Sequence, residues 1–139
     1  ARFVIDQFPF LELKLKRKEE IYKKYYEKLS DIMFPHTGMP WFVDVYVDDR
    51  DGLAAYLTEK EIGVRKMYPL VSSQNPFRDY PTNGDKSFEL SKSMRGLWLP
   101  SSVNLTNEQI DYIIETISSP TLLVEGRSYR AWDCLPTTF

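Results

Sequence analysis

Valine recurs at every second position along residues 43–47, in a stretch that begins with Pro40 and Trp41. In an extended chain, successive side chains point to opposite sides. Four residues then share one side and three share the other: Trp41, Val43, Val45 and Val47 against Phe42, Asp44 and Tyr46. A two-residue period rich in β-branched and aromatic residues predicts a strand.

A helix and a second strand are predicted directly after this strand. The acidic cluster at 48–51 supplies carboxylates that can cap and charge a helix N-terminus. The apolar side of that helix is formed by Leu53, Ala54, Tyr56 and Leu57. A second strand is predicted from Ile62, Val64 and Met67, ending at residues 68–70. Such a crossover makes the two strands neighbours or near neighbours in one sheet, so we expect this unit to be the centre of the fold.

Three further helices and another strand are predicted from the remaining pattern. Over roughly twenty residues from Phe10, apolar residues recur at helical spacing: Leu11, Leu15, Tyr22, Tyr25, Tyr26 and Leu29. This helix is expected to end at Ser30-Asp31. Residues 87–95 predict a short helix, and residues 97–99 a short strand stopped by Pro100. Thr106 and Gln109 form a capping box. The last helix buries residues at i, i+3, i+4 and i+7: Ile110, Ile113, Ile114 and Ile117.

The fold class expected from these elements is α+β, with a small sheet of about three or four strands and helices packed mainly on one face. Residues 71–85 form a long irregular stretch, which in a compact domain is typical of a functional or mobile loop. After Pro120 a short strand is the one further element considered, at residues 121–124.

Composition narrows the classes of partner. A chain of 139 residues fits one domain, and a net charge of −2 gives no reason to expect binding to nucleic acid or to a membrane. Lysine and arginine crowd residues 14–28, but interleaved glutamates favour a solvated helix face. No apolar run reaches the ~20 residues of a membrane span, and no signal peptide is visible. These features predict a cytoplasmic protein.

Few residues offer chemistry by themselves. A single histidine, His36, excludes a two-histidine metal site, and Cys134 is the only cysteine. The aspartates at 44–51 lack the spacing of a calcium loop, so helix capping explains them better. A hydrolase built on Cys134 or on these aspartates would lack a base and a positioned partner. Arg65 and Tyr68 place a cation and a phenol at the end of a predicted strand, where sites often lie.

Several motifs, in this order, resemble those of one enzyme family. They are Pro-Trp-Phe-Val at 40–43, Asp-Arg-Asp-Gly-Leu at 49–53, Ile-Gly-Val-Arg-Lys-Met-Tyr-Pro-Leu at 62–70, Gly-Leu-Trp-Leu-Pro-Ser-Ser at 96–102 and the stretch 105–110. Together they resemble the C-terminal small domain of the DegT/DnrJ/EryC1/StrS family of nucleotide-sugar aminotransferases, with the perosamine-synthase branch most similar. The resemblance covers about residues 10–118. It therefore implies a divergent N-terminal segment at 1–9, an aminotransferase-like small domain at 10–118 and a divergent tail at 119–139. The basic helix resembles the long helix that leads into that domain.

The resemblance implies a pyridoxal-phosphate enzyme whose cofactor lysine lies in a large N-terminal domain. No lysine of this chain matches it, so we expect no cofactor site here, no catalytic residue and no transamination by this chain alone. Arg65, Tyr68 and Gln74 are carried over as substrate contacts to a nucleotide sugar. The family commonly has a histidine after the Tyr-Pro turn, whereas this chain has Leu-Val-Ser-Ser at 70–73.

Two hypotheses for the chain remain. It is a truncated or excised small domain that lacks its large domain, or it is a stand-alone binding or assembly module that dimerises through its apolar face. Both predict a partner, because a small domain without its large domain leaves apolar surface to be covered by a second copy or by another protein.

Overall fold

Four helices and three strands make up the regular structure of the described residues. The structure, a computed structural model, describes residues 6–36, 38–77 and 86–119. In chain order the elements are α1 (Leu11–Leu29), β1 (Val43–Tyr46), α2 (Arg50–Glu59), β2 (Arg65–Lys66), α3 (Lys86–Arg95), β3 (Gly96–Leu99) and α4 (Asn107–Ile117). Short 3-10 turns occupy Phe8–Phe10, Ser30–Ile32, Val71–Ser73 and Asn75–Phe77. This is the small α+β domain expected from the sequence.

The sheet is antiparallel and has the order β1-β3-β2. Val43 pairs with Leu99 and Asp44 with Trp98, while Arg65 pairs with Trp98 from the opposite edge. The predicted crossover therefore joins near neighbours, with β3 inserted between β1 and β2.

One face of the sheet carries the hydrophobic core. Val43, Val45, Leu97 and Leu99 point into it and are at most 3 % exposed. Helices α1, α2 and α4 cover this face with their apolar sides: Ile21, Tyr25 and Leu29, then Leu53, Ala54 and Leu57, then Ile110, Ile113, Ile114 and Ile117. The predicted apolar side of the last helix is confirmed, as is its capping box, in which Thr106 Oγ1 accepts from the Gln109 N–H and Gln109 Oε1 accepts from the Thr106 N–H.

The first strand is shorter than its sequence pattern. Trp41 was expected to lie beside Val43 and Val45, but it precedes β1 and its side chain is 78 % exposed. The Trp41 carbonyl accepts a hydrogen bond from Lys18 Nζ at 3.0 Å, so it bonds to α1 rather than to a strand. Val47, expected on the same side as Val43 and Val45, is buried like them, although it follows the end of β1.

The second strand is also shorter than predicted, because the turn that ends α2 includes the first residues of the predicted strand. Glu61 has a positive φ of 60°, the Glu61 N–H bonds to the Thr58 carbonyl, and the Ile62 N–H bonds to the Leu57 carbonyl. These two bonds form a Schellman motif, in which Ile62 packs in the core near Leu57. Only Arg65 and Lys66 remain for the ladder, so the predicted strand from Ile62 to Met67 is wrong in its extent.

Helix α1 packs along its second half only. Ile21, Tyr25 and Leu29 are buried, whereas Leu11 and Leu15, expected on the same apolar side, are 45 % and 38 % exposed. The predicted strand at 121–124 and Cys134 lie outside the described residues.

Candidate functional site

Arg65 and Tyr68 lie together at the end of β2. The Arg65 guanidinium carbon is 4.7 Å from the centroid of the Tyr68 ring and 5.9 Å from that of Trp98. Both Arg65 and Tyr68 are exposed. The guanidinium is therefore held against aromatic faces at the surface, where cation–π attraction orients it.

Trp98 is the central ring of a larger cluster on the sheet face opposite the core. Its indole stacks on Phe42, with centroids 4.3 Å apart and ring planes 13° from parallel. Tyr68 meets the same indole edge-on at 5.1 Å, and Trp41 meets Phe42 edge-on at 6.0 Å. We call these four rings, Trp41, Phe42, Trp98 and Tyr68, the aromatic row. It crosses the sheet from the β1 side to the β2 side.

The two cations of β2 have different surroundings. Lys66 Nζ pairs with Asp51 Oδ1 at 2.9 Å, and this bond with that from Arg50 lowers the pKa of Asp51. Among the described residues Arg65 forms no ion pair. Its planar fork of donors therefore remains suited to a carboxylate or phosphate ligand.

Gln74 lies apart from this pair. It follows the 3-10 turn Val71–Ser73, its side chain is exposed, and no hydrogen bond or ring contact joins it to Arg65 or Tyr68. Two of the three residues carried over by resemblance are thus brought together, and the third is not. Their role as substrate contacts stays a prediction.

Sequence reasoning missed the rings that organise this surface. Phe42 and Trp98 were treated only as parts of strands, and Trp41 was placed on the same side of the strand as Val43 and Val45. The signal was present in the alternation, because Phe42 falls opposite Val43 and Trp98 falls between the core residues Leu97 and Leu99. An aromatic residue on the non-core side of each of two neighbouring strands predicts a cross-strand ring pair.

Asp44 lies beside the aromatic row as the cross-strand partner of Trp98. Its Oδ1 is buried and has no hydrogen-bond partner among the described residues. Burial raises the pKa of Asp44, while His36, Lys92 and the Trp98 side chain act in the opposite direction. A carboxylate in these surroundings is easier to protonate than one in water.

An exposed apolar surface covers the start of α1 and the turn before it. Five large residues there are 38–68 % exposed: Phe8, Phe10, Leu11, Leu13 and Leu15. We call this set the α1 apolar surface. Several large exposed apolar side chains within one short segment are typical of a region that meets another protein unit.

A site for pyridoxal phosphate needs a lysine for the aldimine and a partner for the pyridinium nitrogen. Three of the described lysines are not free for such a role. Lys24 and Lys66 are engaged in ion pairs with Asp111 and Asp51. Lys18, whose pKa burial lowers, bonds only to the Trp41 carbonyl and Ser101 Oγ. Nor do the described residues group three histidine, cysteine or acidic side chains in a way that could hold a metal ion.

Within the described residues, none of the helices has the length and apolarity to cross a membrane.

Comparison with known proteins gives a family match and a fold match. A sequence profile described as the DegT/DnrJ/EryC1/StrS aminotransferase family matches residues 1–118. No curated protein sequence matches the chain.

Solved structures share the fold. A DegT DnrJ EryC1 StrS aminotransferase from Brucella abortus is 24 % identical with a TM-score of 0.74, over 82 % of this chain and 33 % of that one. DesV from S. venezuelae, solved with a ketimine intermediate, is 21 % identical with a TM-score of 0.72, over 83 % and 34 % of the two chains. The sugar aminotransferase CalS13 from Micromonospora echinospora is 18 % identical with a TM-score of 0.71, over 83 % and 33 %. The chain thus spans about a third of the length of these structures.

Proposed function

Because the chain belongs to the DegT/DnrJ/EryC1/StrS aminotransferase family, we propose that it is the small domain of a pyridoxal-phosphate-dependent nucleotide-sugar aminotransferase. Its match to about a third of each solved relative supports the view that a large domain completes the enzyme. The cofactor, held by that large domain, supplies the electron sink of the transamination. Alone, in the cytoplasm or in a test tube, this chain does not transaminate.

The observation that carries this proposal is the exposed Arg65 guanidinium held on the Tyr68 ring. A nucleotide sugar offers a diphosphate to a guanidinium and flat faces to aromatic rings. In the proposed enzyme, Arg65 binds the diphosphate and Tyr68 packs against the ligand beside it. Gln74 contributes a polar contact from the following loop.

The α1 apolar surface supports a missing domain. Leu13 is 68 % exposed and Phe8 66 %, although both belong to residue types that a folded protein usually buries. We assign this surface to contact with the large domain.

The first experiment is the intact mass of the protein made from its own gene. A mass near three times that of this chain is expected, since the solved relatives are about three times as long. A mass of 16.4 kDa would overturn the assignment as a part of a larger enzyme.

The substrate role of Arg65 is tested in the full-length enzyme. Arg65→Ala is expected to raise KM for the nucleotide sugar by about tenfold or more, because a hydrogen bond to a charged group contributes about 1.5–3 kcal/mol. Lys66→Ala is the matched control, since it removes the neighbouring cation that Asp51 already neutralises. Equal effects of the two substitutions would contradict a specific role for Arg65.

The isolated chain provides a test of inactivity. With pyridoxal phosphate we expect only the weak absorbance of non-specific lysine adducts, because no lysine of this chain matches the cofactor lysine of the family. A saturable one-to-one band that disappears when a single lysine is replaced would refute this.

A second function, favoured by the α1 apolar surface alone, is that of a stand-alone assembly module. In that case a second copy covers Phe8, Leu13 and their neighbours, and the chain dimerises. The intact mass separates the two functions, since only the assembly module is complete at 16.4 kDa.

A further inference from the structure

Lys18 is the one charged residue in the apolar series of α1. A series that recurs every three or four residues has leucine or tyrosine at 11, 15, 22, 25 and 29, and lysine at 18. The series is buried at Tyr25 and Leu29 and exposed at Leu11 and Leu15. Lys18 therefore lies where α1 passes from the core of the domain to the α1 apolar surface.

The Lys18 ammonium bonds to two oxygen atoms outside α1. Its Nζ donates to the Trp41 carbonyl at 3.0 Å and to Ser101 Oγ at 3.3 Å. Both acceptors are uncharged, and among the described residues no ion pair includes Lys18. The amine is partly buried between these groups, which has a desolvation cost that an apolar residue at position 18 would not have. The contacts of Lys18 therefore call for a reason other than stability.

The loop between β3 and α4 carries Ser101, and α1 holds this loop on both sides of that serine. The Tyr25 hydroxyl donates to the Pro100 carbonyl at 3.0 Å, and Arg17 Nη2 donates to the Leu105 carbonyl at 2.7 Å. The sequence favoured a solvated face for the basic residues of α1, but Arg17 is used to fix the loop. Ser101 Oγ is thus an acceptor in a fixed place, which orients the ammonium bonded to it.

Trp41 is the outer ring of the aromatic row, and neither the sheet nor burial holds it. It precedes β1, whose pairing with β3 begins at Val43, and its side chain is 78 % exposed. The indole meets Phe42 edge-on at 6.0 Å, and Phe42 in turn stacks on Trp98. The bond from Lys18 to the Trp41 carbonyl therefore fixes the backbone from which this ring projects.

We propose that Lys18 is a positioning residue, which holds Trp41 in place at the outer end of the aromatic row. A polar residue retained in an apolar series can specify one arrangement at a cost in stability. Rings that are already in position lower the ordering cost when a flat ligand group binds to them. The proposal depends neither on the identity of that ligand nor on the aminotransferase assignment.

The test uses the full chain labelled with 5-fluorotryptophan and carrying Trp132→Phe, so that Trp41 and Trp98 give the two fluorine resonances. Trp41→Phe assigns them. Lys18→Met keeps an unbranched side chain but removes the donor. We expect the Trp41 resonance to narrow and to shift toward its position in urea, because the ring gains mobility. The midpoint of urea denaturation should stay the same or rise, whereas the loss of a merely stabilising lysine would lower it.

Two further variants serve as controls. Lys18→Arg, which still offers donors to both oxygens, should keep the Trp41 resonance of the parent chain. Lys16→Met removes an exposed charge from the opposite side of α1 and should change neither the resonance nor the midpoint.

An unchanged Trp41 resonance in a folded Lys18→Met chain would overturn the proposal. A lowered midpoint would also overturn it, as would a Lys18→Met chain that does not fold, because the lysine would then be needed for the fold itself. None of these measurements uses a ligand, so the aminotransferase assignment can fail without affecting them.

Discussion

Tyr25 joins the core to the end of β3 through one hydroxyl. Its side chain is fully buried, and the hydroxyl donates to the Pro100 carbonyl at 3.0 Å. Tyr25→Phe would leave that carbonyl without this donor while keeping the ring, so we expect the free energy of unfolding to fall by about 1 kcal/mol. Urea denaturation measures the change. Tyr26→Phe is the control, because the Tyr26 ring is only half-buried beside Tyr22; an equal loss in both variants would argue against the Pro100 bond.

Single residues were predictable where a local rule applies to them. The side chains of Thr106 and Gln109 each accept a hydrogen bond from the other residue's backbone N–H within one turn, so the capping box is visible in the sequence. The environment of Trp98 is different, since it depends on Asp44 and Phe42 from one strand and on Arg65 and Tyr68 from the other side. Such pairings depend on strand order and register, and the sequence of β3 does not contain them.

The turn that ends α2 has a residue other than the preferred glycine at its C′ position. Glu61 adopts a left-handed conformation at the C′ position, where glycine carries no Cβ penalty. Glu61→Gly is therefore expected to raise the free energy of unfolding by about 1 kcal/mol. Glu59→Gly, inside the last turn of the same helix, should lower it by about 0.5–1 kcal/mol. Opposite signs in thermal or urea unfolding support the Schellman motif; a loss in both variants would contradict it.

The predicted element boundaries were wrong where two neighbouring elements can use the same residues. Ile62 and Val64 have the composition of a strand, but Ile62 closes α2 before the ladder can begin. Trp41 has the right parity for β1, but its carbonyl bonds to Lys18 of α1. Periodicity describes one element at a time, whereas both outcomes were decided by a hydrogen bond to a helix.

At the scale of the whole molecule, the two faces of the sheet carry different side chains. The core face holds the aliphatic residues of β1 and β3 under α1, α2 and α4. The other face carries the aromatic row and Asp44. Because successive residues of a strand alternate between faces, the strands that build the core also position the candidate site. Stability and site geometry are therefore encoded in the same few residues at 42–46 and 96–99.

The α1 apolar surface predicts how the isolated chain associates. With five large apolar side chains exposed at one end, we expect the 139-residue chain to be at least dimeric in light scattering across a range of concentrations. Leu13→Glu should shift it to the monomer, because a charge in the centre of a buried apolar contact would have no partner. Lys28→Glu, near the other end of α1, is the control and should leave the mass unchanged. A wild-type chain that stays monomeric at all concentrations would show that this surface does not bind a second copy and needs a different partner, such as the missing large domain.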